Sequence, residues 1–436
     1  MKLEVYRQVL DKLGEIIKGT EFEGHVYSVG GCERDRLLGY DIKDIDLVVD
    51  LPNGGINLAN WLSGQGRLLY APVTYENYGT AMFHLKDMPE IELEAVQTRK
   101  ESYRDMTTRN PETAFGTIQE DCKRRDFTIN ALYRTVGTDE LHDFTGRSLD
   151  DLNKQIIVSC DDPDIIFKED PLRIIRAVRF KSKLGWDWSI DRTTYKGMIK
   201  NVERLNIISQ ERLTDEFNKI TLSKNFIGGI YELRTIGALK YVCRQLDAIS
   251  DEEFHWAMGS LRLTDNILEE RVAVMLMKTT LPDVAMREMK YSNDFIDNVV
   301  TIIKNVPIVH GLGEKYNSIN IVDVRKLQYI VKTPKMFGEI VMVAHAINNR
   351  DCAVVRKNMQ AMHVHAVNIK LMRDGTSCYG YKLPVNGEDV METKGIGPGK
   401  EIKHCLTYLM EEAFKNPKIT REECVKLIKK YDIHGK

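Results

Sequence analysis

Apolar and polar residues alternate in short runs along the first third of the chain. Period-two alternation marks strands with one buried face, and it appears near 25–30, 44–50, 66–71, 78–85 and 90–98, with helical stretches before and between. From about residue 148 the alternation fades and spacings of three and four take over. Leu172, Ile175, Val178 and Phe180 form one such run, and others lie near 210–222, 268–278, 293–304 and 400–414. The pattern predicts an α+β chain: a head of mixed sheet with helices over residues 1–136, then an almost wholly helical remainder. Residues 100–120 are polar, contain Asn110-Pro111 and read as a long mobile loop of the kind enzymes put to use.

Composition narrows this picture. A chain of 436 residues should hold two to four compact units. No stretch is long or apolar enough to span a membrane, and the N-terminus lacks a signal-peptide core. Eight cysteines without a Cys-x-x-Cys pair speak for neither a zinc site nor a disulfide scaffold, and a reducing cytoplasm fits best. With 62 basic and 64 acidic residues the net charge is −2. Any nucleic acid must therefore meet a locally basic face.

The densest chemistry lies between residues 25 and 50. A strand, His25-Val26-Tyr27-Ser28-Val29, leads into Gly30-Gly31, and Cys32-Glu33-Arg34-Asp35-Arg36-Leu37-Leu38 then suits a helix. Next comes Asp44-Ile45-Asp46-Leu47-Val48-Val49. Residues two apart on a strand share a face, so Asp44 and Asp46 project together while Ile45 points inward. Paired carboxylates repel each other unless a cation lies between them. Hard oxygen ligands suit Mg²⁺ carrying substrate phosphates, and a Gly-Gly turn lets backbone come close to a ligand. The bland alternative is a solvated strand edge beside an ordinary turn. In Ile91-Glu92-Leu93-Glu94 the same alternation offers a third carboxylate, at Glu92 or Glu94, or two solvated ones.

Further along, Lys123-Arg124-Arg125-Asp126-Phe127-Thr128-Ile129-Asn130 joins a basic cluster to side chains that can cap a helix or meet ribose hydroxyls. Its plainer reading is an exposed basic turn. Glu169-Asp170-Pro171-Leu172-Arg173 opens a helix with Pro171 in its first turn. Asp170 and Arg173 share a face as an ion pair or as a base reader. A carboxylate accepting from an exocyclic amino group, beside a guanidinium donating to a ring nitrogen, would match cytosine and adenine and reject uracil and guanine. Ile208-Ser209-Gln210-Glu211-Arg212 reads as a helix start with Ser209 as N-cap.

Taken in order, these motifs resemble those of the class II tRNA nucleotidyltransferases, the CCA-adding enzymes, and of their relatives the bacterial poly(A) polymerases. The resemblance covers roughly the first 220 residues. It implies that Asp44 and Asp46 hold two Mg²⁺ ions and that Glu94, five residues before Arg99, is the third catalytic carboxylate. Gly30, Gly31, Arg34, Arg125, Asp126, Asn130, Arg176 and Arg179 would bind nucleotide. Glu169, Asp170 and Arg173 would select CTP and then ATP, and the loop at 100–120 would assist that switch. The implied partners are tRNA, CTP and ATP, with no membrane, on a monomer or weak dimer. The resemblance divides the chain into a catalytic head (1–136), a neck with the base template (137–236), a body (237–350) and a tRNA-binding tail (351–436).

The pattern is broken twice. Cys32-Glu33 replaces a small residue and valine. Met277-Lys278 stands where many relatives carry a His-Asp metal pair, and a thioether with an ammonium cannot hold a hard ion, so the body reads as a hydrolase remnant. Gly395-Ile396-Gly397-Pro398-Gly399 fits a helix–helix turn better than an RNA-phosphate contact. The rival readings are a poly(A) polymerase, an A-adding or CC-adding enzyme and, from another class, a non-catalytic RNA-binding protein.

Overall fold

The computed structural model describes residues 2–76, 79–102, 112–314, 319–347 and 355–432. The chain divides into two compact units, Met1–Val242 and Cys243–Lys436.

The first unit begins with α1 (Leu3–Ile17), whose Tyr6, Val9, Leu10, Leu13 and Ile17 form one buried stripe. Strand β1 (Val26–Val29) turns through Gly30 into the short helix α2 (Gly31–Leu37). Then follow β2 (Ile45–Val49), α3 (Gly54–Gly64), β3 (Val73–Tyr75), β4 (Thr80–His84) and β5 (Glu92–Gln97). An antiparallel ribbon, β6 (Arg99–Ser102) with β7 (Glu112–Phe115), precedes α4 (Ile118–Lys123). The loop expected over 100–120 thus has strands at both ends, and its middle, residues 103–111, lies outside the described residues. β8 (Leu132–Thr135) and β9 (Leu141–Asp143) complete a sheet of order β3-β4-β5-β2-β1-β8-β9. In it β2 and β5 are parallel and all other neighbours antiparallel. The strand expected at 66–71 shrinks to one bridge, Leu68 to Leu85. Pro72 has no amide hydrogen to extend that ladder, and β3 starts beyond it.

Alternation along β2 places the carboxylates. Ile45, Leu47 and Val49 enter the core with Leu13, Phe22, Leu58 and Leu62. Val48 faces the other way, onto Val29, Ile118, Cys122 and Tyr133, and Asp46 shares that outer face. Gly55 lets α3 lie close against β5, because a Cβ there would meet the Ala95 carbonyl oxygen at 2.3 Å.

Helices fill the rest of this unit: α5 (Ser148–Asn153), α6 (Pro163–Glu169), α7 (Leu172–Leu184), α8 (Arg192–Asn201), α9 (Gln210–Thr221), α10 (Phe226–Thr235) and α11 (Leu239–Val242). Two short strands that the pattern did not announce, β10 (Ile156–Ile157) and β11 (Ser189–Ile190), pair in parallel among them. Helix α7 packs against α9 and α10. Ser209 takes the N-cap position of α9, without a side-chain capping bond.

Among its described residues the second unit is entirely helical. It runs through α12 (Arg244–Asp247), α13 (Asp251–Leu261), α14 (Leu268–Leu276), α15 (Pro282–Glu288), α16 (Asn293–Glu314), α17 (Ile321–Val331), α18 (Pro334–Ile347), α19 (Val355–Arg373), α20 (Gly387–Lys394), α21 (Lys400–Lys415) and α22 (Arg421–Lys430). Left-handed Gly395 ends α20 and α21 starts at Lys400, so the glycine-rich run is the expected turn. Lys278 lays its ammonium over the Trp256 ring, 4.7 Å from the centroid. No helix among the described residues is long and apolar enough to cross a membrane.

Candidate active site

A cleft of about 650 Å³ opens in the first unit over the outer face of the sheet. Gly30, Gly31, Arg34, Asp44 and Asp46 line one side. Arg125, Asp126 and Asn130 line another, and α7 and the end of α9 add Arg176, Arg179, Phe180, Lys183, Lys219 and Ser223. The wall holds four aspartates, of which Asp46 lies on β2 and Asp44 just before it, and a surplus of cations, which suits a polyanion held over metal.

Local geometry sets each part. Gly30 has φ +85°, a left-handed conformation that favours glycine. A Cβ there would lie 3.6 Å from Asp46 Oδ2 and 3.7 Å from Arg125 Nη1. Asp46 is directly opposite Glu94 in the parallel β2–β5 register. Enclosure raises the Asp46 carboxyl above its usual range, Arg125 pulls it down and Asp44 pushes it up again. Glu94 is raised by burial first, then by Asp46, Glu92 and Asp44, with Arg99 opposing. Glu92 has its own partner, His84 Nε2 at 3.6 Å.

The arginines are held in fixed poses. Arg125 donates from Nε to Tyr133 Oη at 2.8 Å and from Nη2 to Asp121 Oδ2 at 3.1 Å. Asp121 also receives Arg124 Nη2 at 2.6 Å and the Tyr133 hydroxyl at 2.8 Å. Burial would raise the Asp121 carboxyl, but Arg125, Arg124 and the Tyr133 hydroxyl bring it below the usual range. Asp126 takes Arg176 through Nε at 2.9 Å and Nη2 at 2.6 Å, and accepts from Asn130 Nδ2 at 3.0 Å. Asn130 Oδ1 accepts from Arg34 Nη1 at 2.6 Å. Phe180 is a shared platform: Arg34, Arg176 and Arg179 lie 5.0, 5.4 and 4.4 Å from its ring centroid. Lys183 Nζ reaches Asp35 Oδ2 at 2.8 Å.

Glu169, Asp170 and Arg173 are not among the residues that line this cleft. Arg173, one turn along α7 from Arg176, donates to the Ile166 carbonyl at 3.1 Å, Glu169 Oε2 at 3.2 Å and the Arg124 carbonyl at 2.6 Å. Asp170 accepts from the Leu172 amide at 3.1 Å and lies 3.5 Å from Arg212 Nη2. The simple Asp170–Arg173 ion pair is therefore replaced by Glu169–Arg173 and Asp170–Arg212 pairs.

Asp121, Tyr133, Phe180 and Lys183 escaped the sequence reading. Three of them carried a local signal: Asp121 is four residues before Arg125 on α4, and Phe180 and Lys183 continue the α7 face of Arg176. Tyr133 comes from a strand buried on both faces and carried none.

Residues 26–158 match the model described as the poly A polymerase head domain, and residues 187–250 that of the probable RNA and SrmB-binding site of polymerase A. The chain is 23% identical to tRNA nucleotidyltransferase cca2 of Schizosaccharomyces pombe over 448 residues, 91% of this chain and 90% of that one. It is 32% identical to the CCA-adding enzyme of Limosilactobacillus reuteri over 243 residues, 55% of this chain and 57% of that one. The Bacillus stearothermophilus CCA-adding enzyme, solved in complex with CTP, shares the fold with a TM-score of 0.72 at 20% identity, over 99% of this chain and 98% of that one. The Thermotoga maritima CCA-adding enzyme, solved with tRNA, gives 0.64 at 21% identity over 98% and 95%. The fold is shared with solved CCA-adding enzymes, and the head-domain match spans the sheet that carries the cleft. The chain is thus similar to poly A polymerase over its head and RNA-binding segments, and to tRNA nucleotidyltransferases and CCA-adding enzymes along its length.

Proposed function

We propose that this protein builds or repairs the 3′ CCA end of tRNA from CTP and ATP without a nucleic-acid template. The observation that carries the reading is Asp46 of β2, with Asp44 just before the strand, set against a cation-lined cleft, in a chain that aligns nearly end to end with CCA-adding enzymes.

The donor set fits a hard divalent ion. Asp44, just before β2, and Asp46 on it both line the cleft with carboxylate oxygens, and Glu94 stands in register beside Asp46. Among the described residues no group of three or more His, Cys, Asp or Glu side chains is gathered as a metal site, so the remaining ligands of such an ion would have to be substrate phosphates and water. We assign Mg²⁺, which Asp44 and Asp46 would hold and which would supply Lewis-acid stabilisation of charge at the tRNA 3′ hydroxyl and the pyrophosphate. Gly30 and Gly31 bring bare backbone to the phosphates. Arg34, Arg125, Arg176 and Arg179 supply positive charge, and Asp126 and Asn130 face the sugar. Catalysis is then positioning and charge stabilisation on a pre-set frame. Asp170 and Arg173 read the base edge after exchanging their present partners, with Glu169 orienting Arg173.

Residues 1–136 act as catalytic head, 137–236 as neck, 237–350 as a body without hydrolase chemistry and 351–436 as a tRNA-binding tail. We assign a monomer or weak dimer and a reducing cytoplasm, in keeping with seven free cysteines among the described residues. A poly(A) polymerase is the second reading, favoured by the family descriptions matched.

The deciding experiment supplies tRNA lacking its CCA end with CTP alone, ATP alone and both, and sequences the products. Addition that stops after C, C and A supports the proposal. Open-ended A tails support the second reading, and tRNA binding without any addition would make the chain a non-catalytic RNA binder.

A further inference from the structure

Glu33 is charged where the resemblance leads one to expect valine, and none of the proposed chemistry uses it. Its side chain is wholly buried. A carboxylate stripped of water is tolerated only with a full set of partners, and Glu33 has them. Oε1 accepts from the Tyr6 hydroxyl of α1 and from Ser28 Oγ of β1, whose two oxygens lie 2.7 Å apart. Oε2 accepts from Arg134 Nε of β8 at 2.9 Å, with Arg36 Nη1 at 4.0 Å. Arg134 and Arg36 both continue to Asp139, through Nη1 to its carbonyl at 2.6 Å and through Nη2 to its carboxylate at 3.2 Å. One anion thus joins α1, β1, α2 and β8 on the side of α2 away from the cleft.

On the cleft side of the same helix, Arg34 reaches Asn130, and Gly30 lies in contact range of Asp46 and Arg125. Helix α2 has seven residues, too few to hold an orientation by its own hydrogen bonds. Gly30 and Gly31 have no side chains to fix the turn before it. The turn therefore takes its position from whatever anchors the helix.

We propose that Glu33 is a positioning residue: its buried anion fixes α2, and through it the Gly30-Gly31 turn and Arg34, at the distance from Asp46 that nucleotide binding needs. The proposal rests on reading the cleft as the triphosphate site.

The test compares wild type with Glu33→Gln, Tyr6→Phe and the double variant Glu33→Val/Arg134→Met. KM for CTP, KM for tRNA, kcat and melting temperature are measured for each. Glu33→Gln should raise KM for CTP about tenfold and leave KM for tRNA unchanged. Tyr6→Phe should shift KM the same way by about threefold. The double variant buries no lone charge, so it should melt near wild type and still show the raised KM. Folded variants that melt lower but keep the wild-type KM for CTP would make Glu33 merely structural and overturn the proposal. A wild type that binds no CTP would instead overturn the reading of the cleft.

Discussion

Asp46 on β2 faces Glu94 on β5 across the one parallel pair of the sheet, so hydrogen-bond register sets a second carboxylate beside that of Asp46. Asp44→Ala and Asp46→Ala should each abolish nucleotide addition and leave the fold intact. Each removes like-charge repulsion, so the melting temperature should hold or rise slightly. Glu94→Gln should slow addition less. Rates at saturating Mg²⁺ beside thermal melts check this, and wild-type turnover in Asp46→Ala would remove the metal assignment.

Arg173→Ala should have two effects. It takes a donor from the buried Arg124 and Ile166 carbonyls, costing about 1–3 kcal/mol of stability. It should also let UTP and GTP begin to be incorporated. Asp170→Ala should relax base choice with a smaller loss, because the Asp170 side chain is 24% exposed and lies 3.5 Å from Arg212. Competition among all four nucleotides, run beside a melt, separates the roles. Lowered stability with unchanged selectivity would leave Asp170 and Arg173 as scaffold.

Asp121→Asn should raise KM for nucleotide, because Asp121 holds both Arg124 and Arg125. It should also change the acid response. Burial opposes ionisation of Asp121, but Arg125, Arg124 and Tyr133 carry the carboxyl below its usual value. The stability this confers is present above the ordinary aspartate pKa of about 3.9 and is lost as pH falls through the lower folded value. The melting temperature of wild type should therefore fall more steeply with acid than that of the variant. Parallel slopes would refute this.

Glu270 in the second unit behaves in the opposite way. Burial, with Asp265 and Glu339, pushes its carboxyl up to about 7, against the Asp265 amide and Arg271. A raised carboxyl favours the folded state at low pH, and that stability is lost as pH rises through about 7. Thermal melts should show this unit more stable at mildly acidic than at alkaline pH, and Glu270→Gln should flatten the difference by raising stability at the alkaline end.

Purified protein should show no phosphatase or phosphodiesterase activity with added Ni²⁺, Co²⁺ or Mn²⁺. Lys278 is occupied with Trp256, and Met277 beside it is a poor ligand for hard ions. Metal-stimulated hydrolysis of a cyclic phosphodiester would contradict this.

By itself the sequence determined whatever depends on near neighbours. Alternation put Asp46 on the outer face of β2, and three-and-four spacing marked the helices at 172, 210, 268, 293 and 400, because both periodicities come from the backbone's own geometry; Asp44 lies just before the strand, yet both aspartates line the cleft. It could not separate Glu92 from Glu94, which share a face. Tertiary pairing did that, setting Glu92 beside His84 and Glu94 opposite Asp46. Strand β8, buried on both faces, lost the alternation that would have announced it. The partners of Arg125, Arg173 and Glu33 were equally out of reach where they come from other elements: Tyr133, the Arg124 carbonyl, and Tyr6 with Arg134. A charge's local pattern shows which face it takes. Only the packed topology decides which distant group meets it there, because burial makes each polar group's partner obligatory and chain crossings select which one is in reach.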